Sequence, residues 1–138
     1  MSSELRFDVL VLGGGGAALR AALSACEQGA KTAILSKGEA GKSGATYYSV
    51  AEVGAFNVPD GALDPEDSPE EFYRDMEMAA LGTAQLPLCR ILAEQAESAL
   101  QYLEKISGGT VFAKEDGHFK VYQACFSTRP RSHVVENH

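Results

Sequence analysis

Four consecutive glycines, Gly13–Gly16, stand where an apolar run of β type gives way to an alanine-rich run of helical type. Gly13, Gly15 and Ala18 match the G-x-G-x-x-G/A pattern of a dinucleotide-binding turn. The first glycine permits a tight turn, the second leaves bare main chain for a pyrophosphate, and the small third residue lets helix and strand pack closely. The helix would present free N–H groups and the positive end of its dipole to the phosphates. This spacing predicts a site for a nucleotide cofactor.

The residues about 20 positions after the glycines bear on which nucleotide binds. NAD-binding units usually carry Asp or Glu there, at the end of the second strand, to bind the ribose. Ser36 and Lys37 occupy that place, so the expected carboxylate is missing and NAD is disfavoured. Ser36 can still donate a hydrogen bond to a ribose hydroxyl, and Lys37 can lie near an adenosine. NAD therefore remains the alternative cofactor.

Gly41-Lys42-Ser43 has the form of the last residues of a P-loop. The full pattern requires a glycine where Ser36 stands and a helix directly afterwards. The chain continues instead with Gly44–Tyr48, which contains β-branched and aromatic residues and no helix cap. We therefore interpret residues 41–46 as a second loop that lies along the same cofactor.

The elements around the glycines have the order of a βαβ unit. Phe7–Leu12 predicts a strand buried on both faces. Ala17–Gln28 predicts a helix that Gly29 stops, and Lys31–Ser36 predicts a second strand, parallel to the first. About 30 residues hold all three elements, the length of a βαβ unit. The predicted class is α/β, with a Rossmann-like start.

The rest of the chain predicts a loop, two helices and a short hairpin. Residues 37–67 lack periodicity and predict a long loop. Ser68 predicts a helix cap, with Pro69 in the first turn, Glu71 completing a capping box, and an end near Gly82. A second helix is predicted from about Pro87 to Lys105, with one stripe facing the core: Leu88, Ile91, Leu92, Gln95, Ala96, Ala99, Leu100 and Leu103.

Two short strands and a polar tail are predicted near the end of the chain. Thr110–Ala113 and Phe119–Gln123 predict strands joined by a hairpin turn at Glu115–His118. Residues 124–138 form the polar tail. In it, Arg129 and Arg131 are either solvated charges or an anion-binding corner, and His133 is interpreted as a structural or surface histidine.

Composition limits the class of protein. The 138 residues carry a net charge of −7, which argues against nucleic acid as a partner because phosphate binding needs clustered Lys and Arg. Cys26, Cys89 and Cys125 are widely spaced and fit neither a disulfide framework nor a metal site; Cys26 is predicted to be buried in its helix. No signal peptide or membrane-spanning run is recognised. One domain, in the cytoplasm, is the expectation.

Several segments together resemble the N-terminus of a flavoprotein family. They are Gly13–Arg20, Ser36-Lys37, Lys42–Thr46, Asp67–Phe72, Leu88–Leu92 and Phe126–Val134. That family includes the flavoprotein subunits of fumarate reductase and succinate dehydrogenase, and L-aspartate oxidase. The resemblance implies FAD as cofactor, with the pyrophosphate held by Gly13, Gly14, Gly15, Gly16, Ala17 and Ala18. It also implies that Ser36 and Lys37 touch the adenosine half, and that Ser43, Gly44, Ala45 and Thr46 pass the flavin half.

The chain departs from the family pattern at two places. Membrane-complex members attach FAD to a histidine of the second loop, whereas Ala45 stands at the equivalent position, so non-covalent FAD is expected. Residues 47–54 differ from the Ala-Gln-Gly-Gly stretch of many members. Tyr47 and Tyr48 are expected to serve packing rather than flavin stacking.

The resemblance implies hydride transfer between flavin and a small dicarboxylate or amino acid. The substrate-binding and proton-delivering residues of such enzymes lie mostly in later segments, so no catalytic residue and no metal site is assigned here. We expect an incomplete, N-terminal portion of an FAD-binding domain that lacks the capping domain and is inactive alone. The partner would be the rest of the flavoprotein or another redox subunit. The alternative is a non-catalytic nucleotide-binding fragment or an NAD-binding module.

Overall fold

The computed structural model describes residues 4–47 and 54–136. The chain forms two compact units, Met1–Ala51 and Glu52–His138. Both combine helices with strands, so a mixed α and β class is confirmed, while the expectation of one domain stays a prediction.

The first unit is a strand, a helix and a second strand in that order. Strand β1 (Val9–Leu12) and strand β2 (Thr32–Leu35) pair in parallel, with Val9 opposite Thr32 and Leu12 opposite Leu35. Helix α1 (Gly16–Glu27) connects them and packs on both. It begins one residue before the predicted start, and Gly29 follows it with a left-handed φ of +83°, as a helix stop requires.

The expectation of a strand buried on both faces is wrong for β1. Leu10 and Leu12 are exposed, Leu12 by 72%. In the part of the chain that the structure describes, β1 and β2 form a sheet of two strands, and α1 covers one side of it. Parallel strands normally lie inside larger sheets that are covered on both faces, so apolar surface remains open here.

The second unit contains the two predicted helices. Helix α2 (Pro69–Ala79) begins as its sequence predicts, because the Ser68 hydroxyl accepts a hydrogen bond from the Glu71 backbone N–H at 3.3 Å. The Glu71 carboxylate accepts from Arg74. Helix α3 (Leu86–Ser107) ends at Gly108, whose φ is +68°. The helix packs against α2.

Among the described residues of this unit, five strands accompany these helices: β3 (Ala55–Asn57), β4 (Lys114–Glu115), β5 (His118–Phe119), β6 (Val121–Gln123) and β7 (Pro130–Val134). Strand β7 is the centre of an antiparallel sheet with the order β3-β7-β6. β4 and β5 form a tight hairpin around Asp116 and Gly117, which both have positive φ.

Three strand predictions need correction. The hairpin strands are shorter than predicted, and Thr110–Ala113 lies outside them, touching the sheet through one bridge from Phe112 to Val135. The predicted loop 37–67 contains β3, and the predicted polar tail contains β7. Both were missed because β3 and β7 stabilise each other across more than 70 residues, a pairing that local sequence does not report.

The core of the second unit lies between α2, α3 and the sheet. Its buried members are Val58, Phe72, Ala93, Ala96, Leu100 and Phe112. The single core stripe predicted for α3 is wrong in its first half. Leu88, Ile91 and Leu92 are exposed and line an open apolar groove with Gln95, Ala96 and Ala99, while the buried face passes through Ala93.

Candidate functional site

The glycine turn leaves the N-terminus of α1 open. Gly13 has a φ of +126°, which side chains rarely tolerate, and its N–H donates to the Leu35 carbonyl at 2.9 Å. Gly15 is the N-cap residue, so no side chain caps the first turn, and no acidic residue lies in that turn. The first N–H groups of a helix need acceptors from outside it. This terminus is therefore suited to receive an anion.

The second loop lies directly on this turn. The Gly41 N–H donates to the Gly14 carbonyl at 2.9 Å. A Cβ placed on Gly44 would lie 3.2 Å from the Gly15 Cα, and one placed on Gly15 would lie 3.3 Å from the Ser43 carbonyl oxygen. The two backbones are therefore in contact, as the interpretation of residues 41–46 as a second cofactor loop requires.

Three hydroxyl groups surround the turn. A Cβ on Gly14 would lie 2.5 Å from Ser36 Oγ and 2.9 Å from Ser43 Oγ. A Cβ on Gly16 would lie 2.8 Å from Thr46 Oγ1. Since only glycine leaves this space, the hydroxyls can approach the main chain of the turn. Ser43 Oγ is buried and has no hydrogen-bond partner among the described residues; buried hydroxyls normally have one.

The structure brings most of the predicted binding residues together. Gly13–Ala18, Ser36 and the segment Ser43–Thr46 meet at the end of β1. Lys37 and Ala45 are exposed beside them. Tyr47 is also exposed, and the prediction for Tyr48 falls outside the described residues.

These features fit FAD. The open helix end matches a pyrophosphate, the bare glycines allow close approach, and the unpaired Ser43 hydroxyl can bind a polar group of the cofactor. The end of β2 carries Ser36 where a carboxylate would favour NAD. The residues present therefore suit a dinucleotide, with FAD favoured over NAD.

The two arginines of the predicted tail are engaged in ion pairs. The Arg131 guanidinium is fully buried and donates to both oxygens of Asp67 and to Asp75 Oδ2, the last at 2.6 Å. Arg129 pairs with Asp64 at 2.7 Å and Glu66 at 3.0 Å. For Arg131 both alternatives, a solvated charge and an anion-binding corner, are wrong, because two buried carboxylates of this chain surround it. Arg129 is paired as well, but its side chain is 29% exposed and keeps contact with water.

His133 is structural, as the sequence indicates. It is 0% exposed on β7. Its Nδ1 lies 3.1 Å from the Arg131 carbonyl oxygen, which only accepts, so Nδ1 carries a proton; Nε2 lies 3.0 Å from Asp60 Oδ2. Burial raises the pKa of Asp60, but hydrogen bonds from His133 and the Ala62 backbone N–H outweigh it, so the pKa is lowered overall.

Two further carboxylates near these arginines, Asp75 and Asp64, also have lowered pKa values. Burial raises the pKa of Asp75, yet hydrogen bonds from the Thr128 backbone N–H, Arg131 and the Thr128 hydroxyl lower it overall. The Arg129 hydrogen bond lowers the pKa of Asp64. Sequence reasoning missed these acidic partners. The alternation of Arg129, Arg131 and His133, typical of one face of a strand, was the signal that could have revealed β7.

In the described ranges, the cysteines form neither a disulfide bond nor a metal site. Cys26 is exposed rather than buried, and the three cysteines are free thiols. Within residues 4–47 and 54–136, no group of His, Cys, Asp and Glu is placed to hold a metal ion. No described helix is long and apolar enough to cross a membrane.

Comparisons with known proteins identify a family. Residues 8–136 match the FAD binding domain family. The chain is 40% identical over 118 residues to a subunit of the fumarate reductase (CoM/CoB) of Methanothermobacter marburgensis, covering 84% of this chain and 20% of that protein.

Solved structures agree as well. The chain resembles Mycobacterium smegmatis Sdh1 in complex with UQ1, with 26% identity and a TM-score of 0.78, over 91% of this chain and 20% of that one. It also resembles the Mycobacterium smegmatis Sdh1 complex in the apo form, with 25% identity and a TM-score of 0.81, over 94% of this chain and 21% of that one.

The chain thus spans about a fifth of the length of these relatives. The family match covers nearly all of it and includes the glycine turn, the second loop and β7. The predicted cofactor, FAD, and the predicted resemblance are confirmed at the level of the family. This chain belongs to the FAD binding domain family, and over about a fifth of their length it is similar to a fumarate reductase subunit and to Sdh1.

Proposed function

We propose that this chain binds FAD non-covalently in a Rossmann-like fold, as the N-terminal portion of the FAD-binding domain of a flavin-dependent oxidoreductase. The segments that form the site are Gly13–Ala18, Ser36, Lys37 and Ser43–Thr46. The proposal depends on one arrangement at the glycine turn. The buried Ser43 hydroxyl, which has no hydrogen-bond partner among the described residues, lies beside a helix N-terminus that no side chain caps. Both features leave polar groups that a bound dinucleotide would satisfy.

The proposed FAD site has two parts, one for the adenosine half with the pyrophosphate and one for the flavin half. The N–H groups at the start of α1 face the pyrophosphate, and the Ser36 hydroxyl at the end of β2 is placed for the ribose of the adenosine half. Ser43 and Thr46 in the second loop hold the flavin half. Ala45 has no nucleophilic atom, which supports non-covalent binding.

The reaction is proposed from the relatives. FAD supplies hydride chemistry when bound, and the relative with 40% identity belongs to a fumarate reductase. A fumarate-like or succinate-like dicarboxylate is therefore the proposed substrate of the complete enzyme. Because Arg129 and Arg131 are both paired with carboxylates of this chain, no described residue is assigned to substrate binding or catalysis, and we expect the isolated chain to be inactive.

The exposed apolar surface supports a partner. The open faces of β1 and β2 and the groove on α3 leave large aliphatic side chains in water, and parallel strands are normally part of a larger sheet that is covered on both faces. We propose that the remaining polypeptide of the flavoprotein, which makes up four fifths of the relatives' length, covers these faces. A cytoplasmic location and a further redox subunit are part of this proposal.

Absorbance tests the cofactor. Purified protein should show flavin bands or gain them on addition of FAD, and acid-denatured protein should release the flavin into the supernatant. Flavin that stays on the precipitate would contradict non-covalent attachment. Binding of NAD in preference to FAD would favour the alternative, an NAD-binding module.

Gly15→Leu tests the assigned turn. A leucine side chain would fill the space in which the pyrophosphate approaches the main chain, so FAD binding should disappear. Gly38→Leu serves as the control, since a Cβ at Gly38 meets only ordinary contact, 3.9 Å from Ser43 Cβ. Full FAD affinity in the Gly15 variant would count against the site.

A further inference from the structure

Gly44 lies against Gly15 with no room for a side chain on either residue. A Cβ on Gly44 would come within 3.2 Å of the Gly15 Cα. That neighbour is main chain at the start of α1, so it cannot rotate away. Gly44 also has a φ of +83°, a conformation that residues with side chains rarely adopt. Two independent restrictions therefore demand glycine at position 44.

This contact determines how closely the second loop packs against the glycine turn. Gly44 directly follows Ser43, whose hydroxyl lies over Gly14, and it precedes Thr46, whose hydroxyl lies over Gly16. Loop and turn share one further link, the hydrogen bond from the Gly41 N–H to the Gly14 carbonyl. A loop lifted from Gly15 would carry both hydroxyls away from the turn.

We propose that Gly44 is a positioning residue: its backbone contact with Gly15 seats the second loop and thereby holds the Ser43 hydroxyl at the cofactor site. The inference rests on the proposed FAD site for its consequence, but not for the contact itself. Gly44 acts through Ser43 rather than by touching the cofactor.

Gly44→Ala is the test, read out by hydrogen exchange of the FAD-free chain and by FAD titration. The added methyl group should push the loop outward, so the Gly41 amide should exchange at least tenfold faster and the Kd for FAD should rise at least tenfold. Ser43→Ala should raise the Kd for FAD while leaving the Gly41 amide protected, since it removes the hydroxyl and keeps the backbone contact.

Two glycines provide matched controls. Gly29 has the same φ of +83° with nothing within 4 Å of its Cβ position, so Gly29→Ala reproduces the backbone strain alone. Gly38→Ala adds a methyl group to the same loop at ordinary contact distance, 3.9 Å from Ser43 Cβ. Both variants should keep the Gly41 exchange rate and the FAD affinity within threefold of the original chain.

The outcomes separate this inference from the proposed function. If Gly44→Ala exchanges like Gly29→Ala, the contact does not seat the loop and the inference is wrong. If affinity falls while the loop stays protected, Gly44 contacts FAD itself, which also overturns it. If the original chain fails to bind FAD, the proposed function fails, and the exchange comparison still decides whether the contact holds the loop.

A second variant guards against unfolding of Gly44→Ala. Gly15 has a φ of −87°, which alanine adopts without strain, yet its Cβ would lie 3.3 Å from the Ser43 carbonyl oxygen. Gly15→Ala therefore presses on the same contact from the other side. It should speed exchange of the Gly41 amide, and an unchanged rate would contradict the inference.

Discussion

Replacing Arg131 with methionine should destabilise the second unit by about 3–5 kcal/mol, the cost of breaking a buried ion pair from one side. Arg131 is 1% exposed. Its Nε and Nη2 donate to Asp67 and its Nη1 donates to Asp75 and to the Ser127 hydroxyl. Methionine has similar length and no charge. It would leave two buried carboxylates without a cation, one of which already has an oxygen, Asp75 Oδ1, that lacks a partner among the described residues.

Urea unfolding followed by far-ultraviolet circular dichroism measures this loss. A small domain has a stability of about 5–15 kcal/mol and a slope of about 1–3 kcal/mol per molar urea, so the midpoint should fall by at least about 1 M. Arg129→Met is the matched control. That guanidinium also pairs with two carboxylates but is partly in water, so its removal should cost under about 1 kcal/mol.

A triple variant tests whether the unpaired charge is the cause. Arg131→Met combined with Asp67→Asn and Asp75→Asn removes the buried charges together, so most of the lost stability should return. The reasoning is refuted if Arg131→Met unfolds at the same urea concentration as the original chain, because the buried ion pairs would then contribute nothing to stability.

Further predictions concern stability. Ser68→Ala should cost about 1 kcal/mol, because the first turn of α2 loses its capping hydroxyl; an unchanged urea midpoint would show that the cap contributes nothing. Asp60 and Asp75 have pKa values below their ordinary 3.8, so their contribution is present above about pH 4 and is lost as the pH falls through the folded-state values. Acid titration by circular dichroism should show that loss, and constant stability down to pH ~2 would contradict it. On α3, Leu92→Gln should change stability by less than about 0.5 kcal/mol, whereas Ala93→Gln next to it should cost at least about 1 kcal/mol, because Leu92 is 54% exposed and Ala93 1%. Equal midpoints in urea for these two variants would show that the helix is packed differently.

The sequence predicted the first unit well because its signals are local. Gly13 needs a conformation that glycine alone adopts readily, and its place after an apolar run fixes where β1 must end. The Ser68 cap likewise acts within one turn of its helix. Such features depend on residues a few positions apart, so they can be read along the chain.

The sheet of the second unit could not be read in this way. Strand β7 contains the buried Arg131, Ser132 and His133, which look like a solvated tail in sequence. They are buried because Asp60, Asp67, Asp75 and Asn57 satisfy them from distant positions. A strand with polar side chains can lie buried at the centre of a sheet only when distant residues supply hydrogen-bond partners for those side chains.

The sequence by itself determined where the glycine turn, the helices and the second loop lie, since glycine conformation, helix caps and helical periodicity act over a few residues. Only the tertiary structure decided that the second loop rests on the turn at Gly15 and encloses the Ser43 hydroxyl. It also decided which face of α3 is buried and which carboxylates pair with Arg129 and Arg131. Those outcomes depend on contacts between residues far apart in the chain, which the order of the residues does not display.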